Sequence, residues 1–453
     1  MKPAPWLATV AFAGLLGPRY ARANPMDMYG LGSRSVALAG AVTADVEDFS
    51  ANYYNPAGLV RGRRVRLEGG YTYAVNRLTA NGRDNHVDPV HGLFGGVVAP
   101  THLFGVPFAL GLALFVPDDR LARSRLLAES QPRWELYDNR VQRLYFAGSL
   151  ALEPFRGLRL GAGVSYVAST RGAIGLRGTV PAVSPNDAQL YHTVDADVLS
   201  VFYPQAGIQI DPHPRVSFGL TYRGEFRFRL DLDAQLDIDL LVGRRNDPNA
   251  QHAQALILLR ERAVTAFLPQ QVAMGLALRP RDDLTVYLDA TWVNWSAYIS
   301  PTADVDIDTR YQLPPGSSSL TLPAIPPSTR GQPARFHDTL TPRASVEFRR
   351  TLGEFRAALR AGYRFDPTPV PDQTSSAMNF LDSNRHVVSA GLGATRGFHD
   401  SDGSERSVTV SVHGEVQLLD RRTILKSDPA DPIGDQTIEG HVLHLGVTVA
   451  SSF

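Results

Sequence analysis

The sequence predicts an all-β protein, an antiparallel transmembrane β-barrel of fourteen strands, and three observations lead there. Fourteen stretches alternate apolar and polar residues with a period of two, the pattern of a strand with one face to lipid and the other to a polar interior. Short and long connections between them take turns along the chain. The final stretch ends on an aromatic residue, Phe453.

The totals agree with that class. A chain of 453 residues is long for one soluble core and ordinary for one barrel. Beyond the N-terminus there is no run of about 18 apolar residues, so a helical membrane protein is excluded. Lys and Arg number 45, as do Asp and Glu, which gives no basic excess for a nucleic-acid partner. The chain has no cysteine, which removes disulfides, thiolate metal sites and cysteine nucleophiles.

At the N-terminus, Lys2 precedes an apolar run from Trp6 to Leu16, and Ala21-Arg22-Ala23 has the small-x-small form of a signal peptidase site. Residues 1–23 are therefore read as a signal peptide. The mature chain, without Lys2, Arg19 and Arg22, carries 42 basic against 45 acidic residues.

The alternating stretches lie near residues 64–75, 90–99, 107–116, 140–152, 157–169, 199–210 and 214–240, then 269–279, 283–296, 338–350, 354–366, 386–398, 405–419 and 441–453. In the first, Val65, Leu67, Tyr71, Tyr73 and Val75 face one way, and Arg66, Glu68, Thr72 and Asn76 the other. In the last, Leu443, Leu445, Val447, Val449 and Ser451 share the face of Phe453. Every second junction is a tight turn, such as Glu153-Pro154-Phe155-Arg156, Asp211-Pro212-His213-Pro214 or Arg350-Thr351-Leu352-Gly353. The others are long: 117–139, 170–198, 241–268, 297–337, 367–385 and 420–440. An outer-membrane barrel has short periplasmic turns and long extracellular loops, whereas a sandwich has no reason to collect its long loops at one end.

One stretch is too long. From Phe226 to Leu240 every even position is apolar, and the odd positions from Glu225 to Asp239 are polar, seven of the eight ionisable. Alternation from Val216 to Leu240 would extend roughly 80 Å, whereas about 9 to 11 residues cross a membrane. The expectation is that residues 214–225 span the bilayer and 226–240 form an extracellular extension whose aliphatic face packs under the loop 241–268.

Residues 24–63 do not alternate and are rich in Gly and Ala. Composition alone leaves open compact packing inside a lumen or a flexible periplasmic tail. The run Gly32-Ser33-Arg34-Ser35, then Ala37-Leu38-Ala39-Gly40-Ala41, then Asp48 to Leu59 with Asn55-Pro56-Ala57 at its centre, closely resembles the N-terminal hatch of the FadL-type long-chain fatty acid transporters. So do Leu268-Pro269-Gln270-Gln271-Val272, Leu288-Asp289-Ala290-Thr291-Trp292-Val293-Asn294-Trp295-Ser296, Gly362 through Pro371, and Asp382-Ser383-Asn384-Arg385-His386.

This resemblance implies a hatch at 24–63 plugging a barrel at 64–453, with hydrophobic compounds admitted from outside by passive diffusion. The path would run through an extracellular groove, a lumenal pocket and a lateral exit past the hatch. Long-chain fatty acids are the first expectation for the substrate; alkanes or aromatic hydrocarbons on the same fold, or a general aqueous porin, are the alternatives. The expected partners are a fatty acid or hydrocarbon and outer-membrane lipid, with no nucleic acid, and the chain is expected to be a monomer.

Three groups of residues are singled out. Asn55, Pro56 and Ala57 carry over as the gating contact, against the plainer reading of a turn that holds the plug. Loops 117–139 and 241–268 read as partly amphipathic helices, in which Leu121, Leu126, Leu127, Trp134, Ala255, Leu256, Leu258 and Leu259 can line the outer groove or simply pack. Arg356, Arg360 and Arg364 share a face, with Arg143 and Arg159 as further inward candidates, and a guanidinium fits a carboxylate head group. The competing reading is a lumenal salt network with Asp289 and Glu347. No catalytic residue, cofactor or metal site is expected. The D-x-D-G fragment at 400–403 lacks the other ligands of a calcium loop, and nothing has the G-x-S-x-G spacing of a hydrolase.

Overall fold

The computed structural model describes residues 25–119, 131–138, 144–181, 189–242, 248, 251–298, 304–312, 328, 334–375, 379–399 and 405–453. The signal-peptide reading of 1–23, the groove candidates Leu121, Leu126 and Leu127, and Arg143 lie outside the described residues.

Fourteen strands close into one antiparallel wall: β1 (Arg66–Ala80), β3 (Val90–Leu103), β4 (Val106–Pro117), β5 (Tyr145–Phe155), β6 (Leu158–Pro181), β7 (Gln189–His213), β8 (Val216–Arg223), β11 (Gln271–Arg281), β12 (Leu284–Val293), β14 (Thr339–Leu352), β15 (Phe355–Asp366), β16 (Arg385–His399), β17 (Glu405–Ile424) and β18 (Gln436–Ser452). Each pairs with the next, and β1 pairs with β18 from Arg66↔Ser452 to Ala80↔Ile438. Closure removes the unpaired sheet edge that a lipid environment cannot hydrate. The remaining strands, β2 (Arg83–Asp84), β9 (Phe226–Val242), β10 (Gln251–Leu268) and β13 (Asp304–Gln312), stand off this ring at its long-loop end.

Alternation decides which way each side chain points. On β18, Leu443, Leu445, Val447 and Val449 are exposed outward, while His444 and Thr448 are buried inward. The same split puts Leu359 and Tyr363 outside on β15 and Arg360 and Arg364 inside. An outward belt of Leu, Val and Phe with a polar interior is the surface a barrel needs in hydrocarbon.

The long ribbon breaks where the bilayer limit requires. Gly224 donates to the Pro204 carbonyl (2.8 Å) and the wall strand stops at Arg223, where Gln271 of β11 stands opposite and continues the wall. Residues 226–242 leave it. The segment expected as an amphipathic helix and cover, 241–268, is instead mostly strand: β10 pairs antiparallel with β9 from Gln251↔Val242 to Leu268↔Phe226, and with β13 from Gln254↔Gln312 to Arg262↔Asp304. A free ladder of backbone donors and acceptors on β9 overrides the helix preference of Ala, Leu and Arg in β10. The ribbon also pairs in parallel with β6, from Ile174↔Ala234 to Pro181↔Leu241. Because β5 ends opposite Val167, the rest of β6 extends beyond the ring roughly 45 Å at strand rise.

Inside the ring lies the N-terminal segment. It folds as α1 (Pro25–Tyr29), α2 (Ser33–Ala37), α3 (Ala51–Tyr54) and a 3-10 turn, Pro56–Arg61. Leu38, Val42, Phe49 and Leu59 are fully buried in one apolar cluster with wall residues Phe94, Ala109 and Tyr203. Helices this short have little stability of their own, so the wall holds them in shape.

Candidate functional site: the hatch seat and the closed mouth

Asn55 sits where the hatch meets the wall. It caps the 3-10 turn, accepting from Ala57 N (3.1 Å), and its amide nitrogen donates to Thr43 O (2.8 Å) and to Ile208 O (3.0 Å) of β7. Pro56 is the first residue of that turn, where a missing N–H costs nothing. The wall is recessed to receive them. A Cβ on Gly207 would collide with Asn55 Oδ1, and one on Gly161 with Ala57 N and the Pro56 carbonyl carbon. Gly111 on β4, a place to look for a strand kink, is paired on both sides with Val98 and Ser149 and makes room for Leu59 and Asn52.

Ionic contacts fix the rest of the hatch. Arg34 bonds Glu347 of β14 (3.3 Å) and Asp45 lies 3.7 Å away; Asp45 also meets Arg61 (3.1 Å) and Arg279 (2.7 Å). Asp289 accepts from Thr43 N (2.9 Å). Ser389 donates to Ala37 O (3.0 Å), and Gln417 to Met28 O (3.0 Å). These contacts come from several parts of the wall, so the hatch cannot move without breaking charge-assisted bonds.

The three expected head-group arginines do not act as a set. Arg360 is bound to Glu347 (2.8 Å); Arg364 is bound to Asp366 (2.8 Å), with Glu415 at 3.6 Å. Arg356 is exposed at the short-turn end, where it lines a cavity of 680 Å³ together with Arg34, Arg349 and Arg350. Arg159 is paired with Asp211 (2.8 Å). Glu347 joins Arg34, Arg349 and Arg360, while Arg364 belongs to a separate group with Asp366 and Glu415.

Two arginines that sequence reasoning passed over are different. Arg223 donates to Gln271 Oε1 and to Tyr53 O (3.1 Å) and stacks on the Tyr53 ring at 4.6 Å. Arg343 bonds the Thr291 hydroxyl, and its Nε has no partner. Among the described residues neither has a carboxylate within 4.0 Å. Both line one cavity of 20 Å³, about the space of a water, with Tyr53, Tyr54, Gly40 and Arg364. Nothing in the alternation separates these arginines from paired ones; only the three-dimensional neighbours do.

Toward the long-loop end, Trp134 is buried, donates to Asn85 Oδ1 (3.0 Å) and stands edge-on to Tyr137 just inside α4 (Glu135–Asp138). Leu256, Leu258 and Leu259 lie on strand β10, not on a helix. Leu256 and Leu258 are register partners of Asp237 and Gln235, whereas Leu259 is the partner of Ala234. A compact aromatic group lies toward this end: Phe267, Tyr298, Phe336 and Phe380 are buried, with Trp295 against them, and Tyr298 stacks on Phe336 at 4.3 Å. Trp295 belonged to a recognised run, but its role there was not readable.

Burial near this mouth disfavours the ionised forms of its acidic groups. Burial raises the Tyr137 hydroxyl above the ordinary phenol range, with Arg385 pulling the other way. It also raises the Asp382 carboxyl, against the pull of Arg385, Thr368 and Arg422. No helix among the described residues is long and apolar enough to cross a membrane, and no group of three His, Cys, Asp or Glu side chains there can hold a metal ion.

A family model described as outer membrane protein transport protein (OMPP1/FadL/TodX) matches residues 21–397. The alkane uptake protein A of Marinobacter nauticus is 22% identical over 384 residues, 81% of this chain and 78% of its own length. A solved Pseudomonas aeruginosa FadL homologue gives a TM-score of 0.55 at 14% identity, covering 93% of this chain and 97% of that one. The Pseudomonas putida toluene transporter TodX gives 0.51 at 14% identity, covering 94% and 99%. At these identities the structural likeness speaks for the fold.

Proposed function

Because the chain belongs to the OMPP1/FadL/TodX family of outer membrane transport proteins, we propose that it admits long-chain fatty acids, passively and as a monomer, with the hatch as its gate. The chain is an outer-membrane β-barrel of a family that transports hydrophobic compounds, and in this reading its short turns face the periplasm. Members of this family are transport channels.

The observation that supports a fatty acid over a neutral hydrocarbon is the pair Arg223 and Arg343. These two lumenal guanidinium groups have no carboxylate within 4.0 Å, although Asp27 lines the same cavity and Asp366 and Asp289 lie farther from Arg343; a carboxylate head group would take the vacant Arg343 Nε once the hatch residues around this water-sized space move aside. The chain behind it would lie along the apolar cluster of hatch and wall. Arg360 and Arg364 contribute field rather than a free donor, and Arg356 stands at the periplasmic end. Asn55, Pro56 and Ala57 are the gating contact in this reading, since holding and releasing the hatch are the same event. Lateral exit into lipid would spare a water-insoluble substrate an aqueous path.

A second reading, uptake of alkanes, is favoured by the relative named for that activity. Competition separates the two. In intact cells, uptake of labelled palmitate that is blocked by unlabelled palmitate and not by hexadecane, and that falls in an Arg343→Met variant, supports the fatty acid; the reverse pattern supports the hydrocarbon.

A further inference from the structure

The extracellular mouth has a cover of its own, built from residues 131–138, 367–375 and 379–384. The two pieces are joined by Arg133 N to Asn379 O (3.0 Å) and Leu381 N to Arg133 O (2.8 Å), and the Arg133 guanidinium lies 4.8 Å over the Phe380 ring. Their undersides, Trp134, Tyr137, Val370, Phe380 and Leu381, are each 1% exposed.

This cover is held at several places, among them His337 N to Pro369 O (3.0 Å), Ser383 Oγ to Asp420 O (2.7 Å) and the packing of Val370 and Phe380 against Phe267, Tyr298 and Phe336, and the end of β17 adds a further fastening. β17 pairs with β16 only as far as Leu419↔Arg385, and of the cations beyond it, Arg421, Arg422 and Lys426, the last two reach the cover. Arg422 donates to Val370 O (2.9 Å) and Asp382 O (2.9 Å) and pairs with Asp372 (2.8 Å). Lys426 donates to Gln373 O (2.7 Å), Ser375 O (3.0 Å) and Asn379 Oδ1, and Ser427 N donates to Thr374 O (2.9 Å). Both cations are half-exposed. Water can therefore replace the loop as their partner, so detaching the loop strands no buried charge. The cover also reaches the hatch: Arg385 donates to Tyr137 Oη (3.3 Å) and to Met28 Sδ (3.1 Å).

We propose that this cover is an outer gate distinct from the hatch, that Arg422 and Lys426 position it, and that hydrophobic solutes gain access by lifting residues 367–375 and 379–384 from the end of β17. Arg385, touching both, couples the two gates. The proposal rests on the uptake reading above, and its test is chosen to fail separately.

The chain has no cysteine, so Thr374→Cys with Ser427→Cys offers one disulfide across the fastening. In intact cells the oxidised variant should take up dye-labelled fatty acid and labelled hexadecane at about a tenth of the wild-type rate or less, with recovery on reduction. An Arg422→Met/Lys426→Met double variant should be cut several-fold faster within 367–384 by added protease, with uptake at least equal to wild type. Folding is checked by heat-modifiable gel mobility and crosslinking by mass spectrometry. A folded, crosslinked variant that transports like wild type, or a double variant no more protease-sensitive than wild type, overturns the outer gate. If wild type takes up neither probe, the uptake reading fails, and the protease comparison still decides whether the cover is held by these two cations.

Discussion

At the residue scale, the hatch seat depends on a few short contacts that have no spare partner. Replacing Asn55 by Ala removes the cap on Ala57 N and the donor to Ile208 O, a change worth roughly 1–3 kcal/mol in a buried polar site. Barrel assembly, read by heat-modifiable mobility, should persist, because no wall ladder uses Asn55. The uptake rate should fall, and loss of assembly instead would mean that Asn55 is needed for folding alone. Gly161→Val probes the same contact from the wall: the added side chain takes the space of Pro56 and Ala57, so the folded barrel should show hatch residues newly open to protease. Asn55, Pro56 and Ala57 were legible because a run of specific residues carried them. Arg223 and Arg343 were not, since only the three-dimensional neighbours show that no carboxylate lies within 4.0 Å of either, and alternation does not carry that distance.

At the scale of elements, each of the fourteen alternating stretches corresponds to one wall strand, because a strand with lipid on one side and a lumen on the other must alternate. What stands outside the wall was harder to read. The ribbon from Phe226 was rightly divided near residue 225, but β10 was expected as a helix, and only the neighbouring ladder of β9 makes it a strand. This pairing has a consequence. Since Arg223 already stands opposite Gln271, removing 226–268 and joining the two by a short turn should leave the wall able to close. We expect that deletion to assemble in the outer membrane with wild-type heat-modifiability; degradation instead of assembly would show that the outer strands are needed to form the ring.

At the scale of the whole molecule, the described residues combine a closed wall, an apolar belt and a hatch bonded across the lumen. Such an object suits solutes that prefer protein and lipid to water. Purified protein in liposomes tests this directly, by following transfer of labelled palmitate and of hexadecane into the vesicle membrane beside osmotic swelling in a small sugar. Faster transfer of either hydrophobic solute with no sugar-driven swelling is the predicted result; rapid swelling in sugar with no gain in hydrophobic transfer would make the protein a water-filled pore and contradict the account.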